Sequence, residues 1–340
     1  MRVLYALFIF LVVCSQPGLG QNNPIGNERS ICIDNANALL DEALALMQQH
    51  YYKKDSVQWE PLIKKARTLL DQSSDCESAY EAVDWCFDQL KEEHSFIMSP
   101  IKASIYSGNV NGPKIPTSSK ALHGAIIHEL IEDDIGYMKV PWIATTNETI
   151  CTGYADSLQS IIKSFDQRDI NKWIIDLRTN TGGNCWPMLA GLGPLLGNGT
   201  HAYFVSSSEN IPVRYHNGTV MQGRNSRCTV STPYTLKSDE KTIIVLVGKN
   251  TSSAGEIVAL SFKGQPNVYL YGQPTAGLTT ANATYSLSNG SMLVLTVCKE
   301  ADRHGKIIQG KIEPDQLIHS SASSAKDVVK DSAVMFLQAN

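Results

Sequence analysis

Two strand–turn–helix stretches, Lys172–Leu189 and Thr242–Leu260, constrain the fold of this chain more than any other feature. In the second stretch, Ile243–Val247 is a continuous apolar run, which is the pattern of a strand that is buried on both faces. Ser253 then begins a helical pattern of apolar residues. A serine at that point lies beside backbone amides that have no partner within the helix.

The first stretch carries a turn made of glycines. Its strand ends near Asp176, and the chain then turns on Gly182 and Gly183. Paired glycines allow backbone amides to point outward into a concave anion site, where a side chain would obstruct the anion. If the two strands are neighbours in one parallel sheet, both turns lie at its carboxyl edge. The amides of the glycine turn and of Ala254 would then face Ser253 and form an oxyanion hole.

Four short motifs follow one another along the chain: Asp176–Gly183, Thr251–Glu256, Gly272–Gly277 and Ile312–Asp315. In this order and approximate spacing, they resemble the motifs of the S41 serine peptidases, the family of the tail-specific (C-terminal processing) proteases and of the tricorn protease core. The resemblance covers roughly residues 90–320 and places Ser253 in the nucleophile position. It implies an α/β fold, with a ββα-superhelix (ClpP/crotonase-like) peptidase core behind an N-terminal helical domain.

The base that would activate Ser253 is predicted to be a histidine. In the bacterial processing proteases the base is a lysine, and Leu278 occupies its position here. The tricorn-like branch of the family uses a histidine from just upstream of the core, where His94 lies in this chain. Imidazole titrates at roughly pH 6–7 before environmental shifts. His94 could therefore accept the proton of Ser253 and return it to the leaving amine.

The acid that would orient His94 stays open. Asp302, Glu300 and Glu313 are acids near the expected position, and Asp302 is favoured because it belongs to a turn that could face the cleft. Ser253 and His94 also have ordinary structural interpretations, as a helix N-cap and as a surface histidine at a helix end. The glycine turn and the missing lysine favour catalysis for both.

Two functions therefore compete. The first is a secreted serine-type peptidase that hydrolyses peptide bonds, with Ser253 as nucleophile and His94 as general base. The alternative is a non-catalytic ligand- or protein-binding member on the same scaffold, similar to interphotoreceptor retinoid-binding protein. The complete set of serine, histidine and glycine turn favours the peptidase.

The domain organisation follows from periodicity and composition. Apolar residues with helical spacing occupy residues 33–93, and strands alternate with helices from Ile135 onward. Too few residues separate His94 from Ile135 for the PDZ domain that many tail-specific proteases insert there. The predicted divisions are a signal peptide at 1–20, a helical domain at 21–100, a connecting segment at 101–134 and the peptidase core at 135–340.

The amino terminus predicts export. Arg2, the apolar run Val3–Val13 and the small residues Gly18–Gly20 form the pattern of a cleaved signal peptide. The chain is accordingly predicted to be secreted or periplasmic. No later segment is long and apolar enough to be an integral membrane segment.

Charge and cysteine spacing limit the classes of partner and cofactor that the chain is expected to bind. The formal net charge is −4 with no basic stripe, which argues against nucleic acid. There is no Cys-x-x-Cys pair, so a zinc site is not expected, and the resemblance implies neither a metal nor another cofactor. The expected partner is a peptide or protein substrate, and the oligomeric state stays open.

Overall fold

The structure is a computed structural model that describes residues 25–72, 77–108, 122–319 and 326–340, with side chains from residue 35 onward. The predicted signal peptide at 1–20 lies outside the described residues, as does the middle of the predicted connecting segment. No helix in the described ranges is both long enough and apolar enough to span a bilayer.

The described ranges contain helices and strands in a mixed order. The helices are α1 (Ile25–His50), α2 (Trp59–Asp71), α3 (Ser78–Gln89), α4 (Pro100–Ser107), α5 (Glu148–Asp166), α6 (Cys185–Gly191), α7 (Gly193–Leu196), α8 (Ala254–Phe262) and α9 (Val328–Ala339). The strands are β1 (Phe96–Met98), β2 (Ile127–Ile131), β3 (Ile135–Lys139), β4 (Lys172–Asp176), β5 (Gly199–Val205), β6 (Asn210–His216), β7 (Thr219–Gln222), β8 (Asn225–Thr229), β9 (Thr242–Val247), β10 (Val268–Gly272), β11 (Thr280–Ser286), β12 (Met292–Asp302) and β13 (Gln316–Leu317).

One sheet of the described residues carries the two strands that the sequence singled out. Its order is β13-β10-β9-β4-β3-β2, and all neighbours are parallel except β2 and β3. Strands β4 and β9 lie side by side at its centre, with Ile174 paired to Ile244. Helix α9 covers one face, and α5, α6 and α8 cover the other. Burial on both faces explains why these strands are continuous apolar runs.

A second sheet of the described residues is antiparallel, with the order β1-β12-β5-β6-β7-β8 and with β11 paired to β12. The bundle of α1, α2 and α3 packs on this sheet through a cluster that includes Leu287, Leu293 and Leu295. Strand β1 follows the bundle and pairs with β12. The segment that carries His94 is therefore held between the helical bundle and the second sheet.

The predicted fold class, an α/β peptidase core preceded by a helical region, is confirmed. One boundary differs from the prediction. Strand β2 pairs with β3 through Ile131 and Ile135, so the core sheet begins at Ile127, inside the predicted connecting segment. Strand β2 is an edge strand whose first three residues are exposed and whose last two are half-buried, and it lacks the continuous apolar run that marks the central strands.

Candidate active site

The glycine turn and the turn that carries Ser253 meet at the carboxyl edge of the parallel sheet. They are neighbours because β4 and β9 are neighbours. The Ser252 amide donates to the Asn180 carbonyl at 3.0 Å. A Cβ atom on Gly182 would lie 3.0 Å from the Ser253 Cβ atom, so the two turns are in van der Waals contact.

The backbone of Ser253 adopts a conformation that is rare outside glycine. Its φ is 50° and its ψ is −116°, immediately before α8 begins at Ala254. The Ser253 amide donates to Glu256 Oε2 at 2.9 Å. Behind it, the Thr251 hydroxyl donates to the Leu177 carbonyl at 2.9 Å. These bonds hold a strained turn from which the Ser253 hydroxyl reaches His94.

His94 contacts Ser253 directly. Its Nε2 atom lies 2.7 Å from Ser253 Oγ, and its Nδ1 atom lies 2.8 Å from Thr280 Oγ1. When the Thr280 hydroxyl accepts the Nδ1 proton, Nε2 is the acceptor for the Ser253 hydroxyl. This tautomer is the one that a general base requires.

Burial keeps the His94 imidazole neutral. The side chain is buried, and this desolvation lowers the pKa of His94 to about 4, while the nearby Glu92 carboxylate acts in the opposite direction. The sequence alone suggested titration near neutrality. The structure differs because a charged imidazole at this position would lose its water without gaining a direct carboxylate partner on the ring.

A buried network fixes the backbone of His94. The Glu92 carboxylate accepts hydrogen bonds from the His94 amide at 3.0 Å, from Tyr51 Oη at 3.1 Å and from Thr296 Oγ1 at 2.9 Å. Asn282 Nδ2 donates to the His94 carbonyl at 2.9 Å. Tyr51 lies just beyond α1, whereas the other two partners lie on β12 and β11. The position of the imidazole therefore depends on the docking of the helical bundle.

The predicted oxyanion donors fall into two groups. The Gly182 amide donates to Asn180 Oδ1 at 3.0 Å and is already engaged. In contrast, the amides of Gly183 and Ala254 donate to no acceptor among the described residues. Gly183 has a φ of 101°, and a Cβ there would lie 2.0 Å from the Ile143 carbonyl oxygen, so this position requires glycine.

Glu256 links the Ser253 turn to the loop around Leu278, the position at which the bacterial processing proteases carry a lysine. Its carboxylate accepts the amides of Gly277 at 2.9 Å and Leu278 at 2.8 Å, and it also accepts the Thr275 hydroxyl. Together with the Ser253 amide, these donors occupy both carboxylate oxygens. Glu256 thus has a structural place, and Leu278 contributes an apolar side chain to the lining of the cavity.

The acid suggested for orienting His94 lies elsewhere. Asp302 Oδ1 accepts the amides of His304 and Lys306 within its own turn, at 2.9 and 3.0 Å. Glu313 is exposed, and Glu300 is buried in the wall of the cavity. The ring atom that an acid would hold is bonded to Thr280 instead. No sequence signal singles out Thr280, because a threonine at a strand start is common.

Ser253 and His94 open into one cavity of about 1000 Å³. Its walls combine apolar side chains with a few polar groups, and the apolar residues include Trp186, Phe204, Ile257 and Leu278. Among the residues with described side chains, no group of three or more histidine, cysteine or acidic residues has the geometry of a metal site. The cavity has the size and the mixed lining of a ligand-binding site.

Comparison with known proteins identifies the family. The sequence model of peptidase family S41 matches residues 134–318, which is more than half of the chain. The chain therefore belongs to peptidase family S41.

Two curated relatives are similar over the core. A nisin-resistance protein of Lactococcus lactis subsp. lactis is 38% identical over 193 residues, covering 55% of this chain and 57% of that protein. The chloroplastic carboxyl-terminal-processing peptidase 2 of Arabidopsis thaliana is 27% identical over 188 residues, covering 55% of this chain and 32% of that protein. The chain thus matches between a third and just over half of the length of these relatives.

Solved structures share the fold over nearly the whole chain. A lipoprotein from Streptococcus agalactiae superposes with a TM-score of 0.69 at 23% identity, over 91% of this chain and 96% of that one. The photosystem II D1 C-terminal processing protease superposes with a TM-score of 0.55 at 14% identity, over 86% and 96%. At these identities the likeness establishes a common fold.

Proposed function

We propose that the chain is a serine peptidase in which Ser253 is the nucleophile and His94 is the general base. The observation that carries the proposal is the 2.7 Å contact between Ser253 Oγ and His94 Nε2. This distance allows direct proton transfer, and burial keeps His94 in its base form at neutral pH. Membership of a peptidase family supports the same reaction.

The reaction would proceed by acyl transfer. Ser253 Oγ attacks the scissile carbonyl carbon while its proton moves to His94 Nε2, and the amides of Gly183 and Ala254 donate to the resulting oxyanion. His94 then gives the proton to the leaving amine, and the peptide bond breaks to leave an ester on Ser253. A water molecule attacks this ester as His94 takes its proton. The acid product leaves when that proton returns to Ser253 Oγ.

Thr280 would take the place of an orienting acid. A hydroxyl that accepts the Nδ1 proton fixes the tautomer and the ring plane, as an acid does in a serine–histidine–acid triad. It brings no negative charge to stabilise the imidazolium that forms during the reaction. The nearest support for that charge is Glu92, which bonds to the His94 backbone.

The substrate is proposed to be a peptide or protein. The relatives named as carboxyl-terminal-processing peptidases support this class, and the cavity has room for several residues. The signal-peptide pattern at residues 1–20 supports export, so the substrate would be met outside the cytoplasm.

Labelling of the nucleophile tests the proposal. A diphenyl phosphonate should phosphonylate Ser253 with loss of phenol, and mass spectrometry of a digest should place the adduct on that residue. His94→Gln should slow labelling strongly, whereas His216→Gln, which changes a histidine far from Ser253, should not. Labelling of a different serine, or none at all in folded protein, would favour a binding protein on the same scaffold.

A further inference from the structure

Glu300 is a buried carboxyl without a complete set of partners in the wall of the candidate active site. Its side chain is 2% exposed, and it lines the same cavity as Ser253 and His94. Its Oε2 atom has no hydrogen-bond partner among the described residues. Buried carboxyls in folded proteins are normally paired, so this one requires an explanation.

The surroundings of Glu300 are apolar. It lies on β12 opposite Phe204 of β5, so the two side chains share one face of the sheet. Helix α8, which begins at Ala254, packs against the same two strands and contributes Ile257 to the cavity wall. Burial raises the pKa of the Cys185 thiol, and the nearby Glu300 carboxyl adds to this effect. The carboxyl therefore lies at an apolar end of the cavity.

Burial raises the pKa of Glu300 well above its ordinary value, and the nearby Glu256 carboxyl adds to this effect. Arg227 lines the same cavity but is engaged elsewhere. Its Nε atom donates to Gln222 Oε1 at 2.9 Å, and its guanidinium lies 5.6 Å from the centre of the Trp186 ring. Without a cation beside it, the Glu300 carboxyl keeps its proton, and a ligand cation that paired with it would displace that proton.

We propose that Glu300 makes the cavity selective for a substrate side chain that ends in a cation, lysine or arginine, on the residue that contributes the scissile carbonyl. This inference rests on the proposed peptidase function. Gly183, Ala254, Ile257 and Glu300 line the same cavity, and α8 packs against β12, so a side chain beside a carbonyl held by the Gly183 and Ala254 amides would run along α8 toward Glu300. The alkyl part of lysine packs on the apolar wall, and its ammonium pairs with the Glu300 carboxylate.

Other side chains fit this end of the cavity less well. An aliphatic side chain would cover the carboxyl and leave Oε2 without a partner, which is costly for a buried polar atom. An acidic side chain would place a second carboxyl beside Glu300. Selection among substrate side chains would therefore come from two sources: the cost of leaving Glu300 Oε2 unpaired and the attraction between Glu300 and a cation.

A pair of matched probes tests this inference. Two diphenyl phosphonates that differ only in a lysine or a norleucine side chain have nearly the same length, and only the first carries a charge. We expect the lysine probe to label Ser253 of the wild-type protein at least about tenfold faster than the norleucine probe. In Glu300→Gln the ratio of the two rates should fall toward one. Glu148→Gln removes another acid of the same cavity lining and should keep the wild-type ratio.

The outcomes separate the inference from the function on which it rests. Equal rates in the wild-type protein, or a preference that survives Glu300→Gln, overturn the role of Glu300 while Ser253 remains the nucleophile. Absence of Ser253 labelling by both probes overturns the peptidase proposal and this inference together. If Glu300→Gln does not fold, a second measurement on the wild-type protein decides. Butylammonium and butanol are compared at equal concentration for how well they protect Ser253 from labelling. Equal protection by the two would contradict a cation site.

Discussion

The segment that carries Ser253 and the segment that carries His94 are built in different ways. Ser253 lies in a turn between a strand and a helix that are adjacent in sequence, and its closest support, Glu256, is three residues away. His94 lies in a short connection whose supports come from distant parts of the chain, namely Tyr51, Thr280 and Thr296, through contacts to its ring or to Glu92. The proposed nucleophile is thus specified locally and the proposed base by tertiary assembly.

This difference predicts how each of the two segments responds to substitutions. A local turn keeps its shape as long as its strand and helix form, because the Ser253 amide is held by Glu256 within the same stretch. An assembled segment depends on every element that contributes to it. We therefore expect substitutions around His94 to act through small displacements of the ring, and substitutions around Ser253 to act through the chemistry itself.

The largest effect is expected when either partner of the pair is removed. Ser253→Ala should lower kcat for peptide hydrolysis by at least about 10³-fold, because no other nucleophile is in place. His94→Gln should have an effect of similar size, and the double variant should be no worse than the single ones, since the two residues act as a unit. Steady-state kinetics on a fluorogenic peptide measures these losses. Additive losses would show that the residues act separately.

The next effect concerns the glycine turn. Gly183→Ala should lower kcat by about 10²–10³-fold, because the added Cβ displaces an oxyanion donor. Gly197→Ala is the matched control. Gly197 also has a positive φ, of 76°, but no atom lies within 4 Å of the added Cβ. Both variants should therefore lose some stability in thermal unfolding, whereas only the first should lose most of its activity.

A smaller effect is expected at the hydroxyl that holds the imidazole ring. Thr280→Val keeps the shape but removes the acceptor for His94 Nδ1, and kcat should fall by about tenfold, the value of one hydrogen bond. Thr280→Ser restores the hydroxyl and should recover most of the activity. If Thr280→Ser does not recover activity, the loss in Thr280→Val comes from the packing of the threonine side chain and not from its hydroxyl.

The smallest effect is a shift in pH dependence. Because burial lowers the pKa of His94 to about 4, kcat/KM should stay constant from neutral pH downward and fall only near that value. The Glu92 charge raises this pKa, so Glu92→Gln should move the acid limb to lower pH. Glu93→Gln, an exposed neighbour, should leave it in place. An acid limb at pH 6–7, as for an exposed histidine, would contradict the burial of the base.

The same pKa has a consequence for stability, with a definite sign. The folded pKa of His94 lies below the value of 6.5 for an unperturbed histidine, so the unfolded chain binds more protons between these values. The free energy of unfolding should therefore decrease as the pH falls from about 6.5 to about 4. Initial rates must be measured before any unfolding begins.

The sequence predicted the parts of the molecule whose signals are local. Apolar runs predicted β4 and β9, and a serine at a helix start beside a glycine turn predicted the meeting of Ser253 with Gly182. His94 was predicted through the absence of a lysine at Leu278. The strands and the two turns depend on periodicity and on backbone conformation, which one stretch of chain carries by itself, whereas His94 followed from the family resemblance.

The remaining parts depend on contacts between distant residues. Thr280 was missed as the partner of the imidazole because 186 residues separate it from His94. Asp302 was favoured as an acid in a turn, but its carboxylate is satisfied by that turn. The lowered pKa of His94 follows from burial, which periodicity cannot predict for a residue in a connection. Edge strand β2 was missed because its partial exposure leaves no apolar run.

The support of His94 by Tyr51 links activity to the completion of folding. The Tyr51 hydroxyl donates to Glu92, and the Tyr52 amide donates to the Thr296 carbonyl at 3.1 Å, so the end of the first helix is joined directly to the strand beneath the histidine. A chain in which the helical bundle has not docked would possess its nucleophile without a positioned base. Such a chain would be inactive while its folding is incomplete. At that stage a new peptidase chain is most easily cleaved by other copies of itself. The amino-terminal helices would then serve as an internal safeguard against premature cleavage.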